Sequence, residues 1–407
     1  MLELLSPPPT DPLFALVAEL GAVVRPERLD LLVGVYRDQT GTTPVMAAVR
    51  EAELRLAERG ESKEYRGLSG NQAFNRAMTS TVLGTEDLIS RATAIQTVAG
   101  TGALNLLAEF VHRTAPGATV WISDPSYVNH RPILESAGLT VRTYRYLDAE
   151  GRPDQAGLLR DLGQARRNDV VLIQGCCHNP TGVDLSAEAW DTLAELAAHH
   201  GWVPFVDLAY HGLGDGLEAD LLPTRTMASR VEEMLIAVSC SKNFGLYSER
   251  TGCAIVLGPS QQALRHVEST LQNVARVLYS MPPEHGAAIV TTILDDPGLY
   301  ATWRTELDAM RTRINANRSD LVAHLDSLGC DRPAGILAQQ KGMFSMLPLT
   351  ADQMLRLREQ FAVYGTGSGR INIAGVSAHR IPYLANSIAT VLDTPTRPTP
   401  DPHLAHH

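Results

Sequence analysis

Between about residues 118 and 258 the chain repeats one pattern: a short apolar run, then a stretch whose apolar residues fall at helical spacing. The runs are ATVWIS (118–123), LTVRTYRY (139–146), VVLIQ (170–174), WVPFVD (202–207), MLIAVS (234–239) and CAIVLG (253–258), with helical stretches such as 102–113 and 186–200 between them. Alternation at this spacing predicts an α/β fold with a mostly parallel sheet covered by helices on both faces. In such sheets ligands sit beyond the carboxyl ends of the strands. The residues that follow each run are therefore the ones to read for chemistry.

The flanks read differently. From Thr43 a helix is expected, with Thr43 as cap, Pro44 in the first turn, Val45, Ala48, Val49, Ala52 and Leu56 on its apolar stripe, and Gly60 as terminator. After about residue 300 the strands thin out and one long amphipathic helix runs through WRTELDAMRTRINANRSDLVAHLDSL. This predicts a second, smaller domain, in keeping with 407 residues at roughly 150 per domain. The Pro-rich tail, ending His403-Leu404-Ala405-His406-His407, is expected to be disordered rather than metal-binding.

Charge narrows the partner. Asp plus Glu number 45 against 35 Lys plus Arg, a formal charge of -10, which favours a small molecule over nucleic acid or an acidic membrane surface. Among the basic residues only Lys63, Lys242 and Lys341 are lysine. Codon bias explains the count as a whole, yet guanidinium can neither act as a base nor form an imine, so any lysine chemistry has three candidates. The five cysteines are odd in number and lack C-x-x-C spacing. Cys176 and Cys177, expected on opposite faces of a strand, read as reduced packing residues rather than a disulfide or metal site. No apolar run approaches the roughly 18 residues of a membrane helix. The acidic start with Pro7-Pro8-Pro9 does not resemble a signal peptide, so a cytoplasmic location is expected.

Five strand-end segments carry chemical meaning. Ala99-Gly100-Thr101-Gly102 lacks the third glycine of a dinucleotide fingerprint, but it can open a helix with free N–H groups that suit a phosphate. Ser239-Cys240-Ser241-Lys242 follows MLIAVS, with Arg250 eight residues on; the lysine is either a plain surface residue or an amine beside a phosphate cradle, which a phosphorylated aldehyde would use in full. Asp207 ends WVPFVD, three residues before Tyr210, and is either a helix N-cap or a buried partner for a cationic ring nitrogen. His178-Asn179-Pro180-Thr181-Gly182 needs no function beyond a turn. Arg370, before the short run INIA, suits bidentate capture of a carboxylate or an ordinary ion pair.

In order, GVYRDQTGTTPV (34–45), AGTGAL (99–104), DPSYVNH (124–130), GCCHNPTG (175–182), VDLAY (206–210), SCSKNFGLYSERTG (239–252), YSMPPEHGA (279–287), GMFS (342–345) and SGRINIAG (368–375) resemble the class I aminotransferases, in their aspartate/aromatic amino-acid branch. The resemblance spans roughly residues 30 to 375. It implies a fold-type I transferase that uses pyridoxal 5'-phosphate and works as a homodimer with shared active sites. The implied division is 1–43 as N-terminal arm and part of the small domain, 44–305 as large domain, 306–393 as small α+β domain and 394–407 as tail. By the same resemblance Lys242 would hold the cofactor through its amine and then move the substrate's α-proton. Asp207, backed by His130, would keep the pyridine nitrogen protonated. Asn179 and Tyr210 would bond the phenolic oxygen, and Gly100, Thr101, Ser239, Ser241 and Arg250 would surround the phosphate, with Tyr65 reaching in from the other subunit. Arg370 and the Gly34 backbone would hold the substrate's α-carboxylate.

Departures from the family pattern bear on the substrate. Tyr127 stands where the family most often has a Trp stacked on the cofactor, and Gln174 replaces a frequent His behind Asn179. Arg276 matches the partner subunit's substrate arginine, while Leu278 and Met281 make its rim apolar. An L-amino acid with an aromatic side chain is therefore expected in one half-reaction and a dicarboxylate such as 2-oxoglutarate in the other. Aspartate aminotransferase, a pathway-specific transaminase or lyase for a modified aromatic amino acid, and a non-catalytic binding protein are the alternatives.

Overall fold

The computed structural model describes residues 12–393, so the Pro7-Pro8-Pro9 run and the expected tail, 394–407, lie outside the described residues. Eleven strands are present among the described residues: β1 (Leu29–Asp30), β2 (Ala92–Val98), β3 (Thr119–Asp124), β4 (Thr140–Arg145), β5 (Val170–Gln174), β6 (Val203–Leu208), β7 (Met234–Ser239), β8 (Thr251–Leu257), β9 (Phe344–Met346), β10 (Val363–Tyr364) and β11 (Arg370–Asn372). Seven of them form the central sheet in the order β2-β8-β7-β6-β5-β3-β4. Strands β3 to β7 pair in parallel, and β8 runs antiparallel between β7 and β2. All six apolar runs are strands of this sheet, within a residue or two of the expected limits.

The inner strands β5, β7 and β8 are buried along their whole length, as strands covered on both faces must be. Alternate side chains divide between two cores. Val206, Ile236 and Ile255 join Phe74, Trp190, Leu193 and Leu221 on one side of the sheet. Phe205, Leu235 and Val256 join Leu104, Leu107, Phe110, Leu271 and Val274 on the other. Each fully buried Leu, Ile or Phe contributes about 1.5–3 kcal/mol, so the helices Ala99–Thr114 and Gln261–Leu278 on one face, and Gln72–Leu83 and Ala187–His200 on the other, are held mainly by these stripes. Strand β2 was not anticipated from the sequence. Its Ala92-Thr93-Ala94 start is only half-buried, and two of its three buried residues, Gln96 and Thr97, are polar, so it lacks an apolar run.

The expected helix at Thr43 is displaced. It spans Ala47–Arg59, leaving Pro44 and the exposed Val45 outside, and closes on Gly60 in the left-handed conformation as expected. Its first N–H groups are satisfied from elsewhere: Ala47 and Ala48 donate to the two carboxylate oxygens of Glu306 at 2.7 and 3.1 Å. A distant carboxylate does the work expected of the Thr43 hydroxyl.

Glu306 belongs to a 31-residue helix, Pro297–Ser327, which starts on an Asp296 cap that accepts from Leu299 N–H at 2.9 Å. The division expected at 305/306 falls inside it. Beyond the helix, β9 pairs antiparallel with β11, placing Arg370 opposite Met346, and β1 pairs parallel with β10. The chain before residue 43 is thus tied to the segment after 343, across from the carboxyl ends of the central strands.

Candidate active site

Asp207 is the penultimate residue of β6 and caps no helix. Its Oδ2 lies 2.9 Å from His130 Nε2, and His130 Nδ1 lies 2.8 Å from Ser126 Oγ. His130 is buried and opens the helix His130–Ser136 just beyond β3, so the pair bridges two strand ends. The helix-cap reading of Asp207 therefore falls away: it is a buried carboxylate paired with a histidine.

Lys242 follows β7. Its Nζ stands 5.1 Å from the centre of the Tyr210 ring, and among the described residues no hydrogen bond or ion pair engages it. Burial brings its pKa down from 10.5 to about 8, against the opposing pull of Asp207, and Arg250 adds to the lowering. Tyr210 sits beyond β6 with its hydroxyl accepting from Asn179 Nδ2 at 3.2 Å, and burial pushes its phenol well above the ordinary range. Asn179 is held in turn by Gln174: the glutamine Nε2 donates to the Asn179 carbonyl and its Oε1 accepts the Asn179 N–H, both at 2.8 Å.

The carboxamide oxygen of Asn179 accepts from Arg370 Nη1 at 3.3 Å, and Arg370 Nη2 donates to the Leu32 carbonyl at 2.8 Å. Arg370 is the first residue of β11, buried, with its guanidinium carbon 4.4 Å from the centre of the Phe344 ring. Its Nε has no acceptor, and burial lowers its pKa. A Cβ added at Gly34 would stand 2.6 Å from Phe344 Cζ, so only glycine lets this backbone approach. Phe344 had no role assigned from the sequence, although GMFS was part of the ordered motif set.

The third part of the site is built of small groups. The helix Ala99–Thr114 begins against Ser239: a Cβ at Gly100 would come within 2.9 Å of the serine Cβ. Ser239 Oγ accepts the Ser241 N–H at 3.2 Å. Arg250 is exposed, and the only hydrogen bond of its side chain among the described residues is from Nη1 to the Tyr247 carbonyl at 3.0 Å. Ala99 and Arg250 both take left-handed backbone conformations, φ 57 and 54, and the Ala99 N–H donates to the Arg250 carbonyl at 2.9 Å. Gly252 permits this contact, since a Cβ there would lie 2.4 Å from the Ala99 carbonyl carbon. Strain of this kind concentrates at functional sites. The segment thus presents a helix N-terminus, two hydroxyls and a guanidinium that has no carboxylate partner among the described residues, groups of the kind that suit a phosphate.

Tyr127 lies edge-on to His130, ring centres 5.2 Å apart, with burial raising its phenol pKa. Two expected site residues are not brought to this cluster by the single chain. Tyr65 is 93% exposed, and Arg276, also exposed, donates to its own neighbour Ser280 Oγ at 2.9 Å. The cysteines need one correction. Cys176 and Cys177 lie past the end of β5, where Cys177 is left-handed, so strand alternation does not separate them. Their sulfurs and an Asp220 carboxylate oxygen lie within 4.8 Å of one another, all three residues buried.

This geometry agrees with the similarities found. The family model "Aminotransferase class I and II" matches residues 26–388. The chain is 44% identical to an aromatic-amino-acid aminotransferase of Paracoccus denitrificans over 96% of this chain and all of that one. It is 41% identical to an aspartate aminotransferase of Haemophilus influenzae, over 96% and all of the respective chains. Among solved structures it resembles an aromatic-amino-acid aminotransferase from Burkholderia pseudomallei covalently bound to pyridoxal phosphate, at TM-score 0.94 and 38% identity, over 97% of this chain and all of that one. Fold, ordered motifs and strand-end residues converge: the chain belongs to the class I aminotransferases, in the branch that holds aspartate and aromatic amino-acid aminotransferases.

Proposed function

We propose that this aminotransferase takes the amino group from an aromatic L-amino acid and delivers it to a dicarboxylic 2-oxo acid such as 2-oxoglutarate, with pyridoxal 5'-phosphate held by Lys242. The residues fit that group: among the described residues no carboxylate pairs with Arg250 beside Gly100, Ser239 and Ser241, Thr101 follows Gly100 at the helix start, and the Lys242 amine is uncommitted. When bound, the cofactor supplies an electron sink for the pair left behind by the substrate's α-proton.

The chain's own residues supply the rest. With its pKa drawn to about 8, Lys242 Nζ can take a proton from the substrate's α-carbon and return it near neutral pH. The carboxylate of Asp207, aimed by His130, accepts from a protonated ring nitrogen. Tyr210 and Asn179, bonded to each other at 3.2 Å, would donate to the phenolic oxygen, and Tyr127 would offer an aromatic surface to the ring. Arg370, already forked between Asn179 and Leu32, takes the α-carboxylate, with the Gly34 backbone beside it.

The substrate reading is carried by one observation: the exposed Arg276 stands in an apolar rim, with Val277 72% and Leu278 42% exposed and Met281 beside them. A cation in such a rim serves a second carboxylate in one half-reaction and tolerates an aromatic ring in the other. The exposure of Arg276 and of Tyr65 supports a homodimer in which each subunit completes the other's site. Among the described residues no helix is long and apolar enough to cross a membrane, and a cytoplasmic location is part of the proposal.

Single L-amino acids mixed with the loaded enzyme, without an acceptor, provide the test. Phenylalanine, tyrosine and tryptophan should each convert the bound cofactor to its amine form without releasing ammonia. Conversion by aspartate alone would replace this reading with aspartate aminotransferase, which the Haemophilus influenzae similarity favours. Ammonia release with no conversion would mean a lyase. Borohydride reduction should fix the cofactor on the peptide that contains Lys242.

A further inference from the structure

Among the described residues the Lys242 amine makes no hydrogen bond or ion pair, so its position depends on the main chain that carries it. That main chain is held locally, the Lys242 carbonyl accepting the Gly245 N–H at 3.2 Å, and beyond the loop through the next residue. Asn243 is fully buried; its carbonyl accepts from Trp303 Nε1 at 2.8 Å, and its side-chain Nδ2 donates to His211 Nε2 at 2.8 Å. His211 is equally buried and directly follows Tyr210. Its other nitrogen, Nδ1, faces the Leu208 carbonyl at the end of β6 without closing a full hydrogen bond to it. One imidazole therefore links the neighbours of Tyr210 and Lys242 across two loops that follow adjacent strands.

The link needs a neutral ring. An Nε2 that accepts from an amide carries no proton, so the proton sits on Nδ1. Burial brings the His211 pKa down to about 4, which keeps the acceptor available throughout the neutral range. The contact is short, buried on both sides and independent of solvent, as a strut has to be.

We propose that His211 is a positioning residue for Lys242: acting through the Asn243 side chain, it fixes the main chain beneath the amine against the loop that carries Tyr210. This rests on the reading of Lys242 and Tyr210 given above. His211 touches neither substrate nor cofactor in this arrangement, and its contribution is geometric. A displacement of the amine by about 1 Å is enough to cost on the order of 100-fold in rate.

The test uses the loaded enzyme and two readouts, the pH midpoint of its visible absorption and the split of kcat against KM. His211→Met removes the acceptor while keeping bulk. It should move the absorption midpoint by about half a pH unit or more and lower kcat by roughly 10- to 100-fold, with KM for the amino acid within about twofold. His211→Gln, whose carbonyl oxygen can accept from Asn243, should restore most of both. Asn243→Ser should reproduce the His211→Met shifts, and the double variant should add nothing further, as partners in one contact require. If His211→Met does not fold, Asn243→Ser carries the same test from the other partner. In the protein freed of cofactor, nitrogen NMR should find His211 neutral at pH 7 with Nε2 unprotonated.

An imidazolium at pH 7, an unshifted midpoint in the folded variants, or shifts that add in the double variant would each overturn the proposal. Failure of the underlying reading looks different: the native enzyme itself would have no visible absorption that titrates, or borohydride would label a residue other than Lys242.

Discussion

The strand-end cluster and the rim around Arg276 are the two halves of the proposed site, and they are built in opposite ways. At the strand ends the groups around the uncommitted Lys242 amine are tied to neighbours: Asp207 to His130, Asn179 to Gln174, Tyr210 and Arg370, and Ser239 to Ser241. At the rim, Tyr65, Val277 and Leu278 project from the surface, and Arg276 contacts only its own helix end. Buried polar groups have to be paired within the fold that buries them, whereas groups waiting for a substrate or a second subunit have to be left open. The first half is therefore a property of the folded chain, and the proposal assigns the second to assembly.

The comparison breaks most sharply at Lys242. Lys242→Arg should keep the charge and lower turnover by about 10⁴-fold, measured as single-turnover conversion by phenylalanine, because a guanidinium cannot return the proton. A variant retaining even a tenth of native turnover would remove Lys242 from the chemistry. At the rim the expected effect is selective. Arg276→Ala should raise KM for 2-oxoglutarate by roughly 10- to 100-fold, the loss of one hydrogen-bonded charge, and leave KM for phenylalanine within about twofold. If the two halves belong to different subunits, mixing Lys242→Arg chains with Arg276→Ala chains should yield heterodimers with one fully native site. Without recovered activity in the mixture, the shared-site reading falls.

Smaller effects probe the cluster as structure. In the cofactor-free chain the Lys242 amine is protonated up to about pH 8, while an unfolded lysine stays protonated up to 10.5. The unfolded state thus binds more protons between these values, so the cost of burying the amine is fully present below pH 8 and relieved as pH rises towards 10.5. Lys242→Met should accordingly raise the urea midpoint at pH 7, with the gain shrinking across that window; a gain that is constant with pH would contradict the lowered pKa. Least of all, Glu306→Ala, a residue of neither half, should cost about 1 kcal/mol through the lost cap on the helix Ala47–Arg59, seen as a lower Tm with unchanged kcat.

How much of this could be read beforehand depended on whether a residue's role is local. Asp207, Lys242 and Asn179 stand at or just past the ends of apolar runs, so their placement followed from the alternation; the roles expected of them, and the place of Arg370 ahead of its short run, came from the ordered motifs. Strand β2 escaped because its buried residues include Gln96 and Thr97, whose polar side chains find partners only after folding. The cap by Glu306 escaped because it is some 260 residues distant from the helix it starts, at separations of 259 and 258. Phe344 was visible only as part of a motif, since its stacking on Arg370 needs β9 and β11 to meet. The orientation of the cysteine pair was misjudged because a left-handed residue at Cys177 ends strand alternation there.

The reversed strand β8 has a consequence for the spacing of the proposed catalytic groups. Because it runs back alongside β7, the short loop that holds Lys242 delivers Arg250 to the same edge of the sheet, with Ser239 paired to Gly252. Consecutive parallel strands would have required a crossover of a dozen or more residues instead. The separation of amine and guanidinium is thus measured out by strand pairing: a slip of two residues would carry Arg250 about 7 Å along the edge, beyond the reach of a phosphate seated on Ser239. The register of an antiparallel ladder serves here as the ruler of an active site.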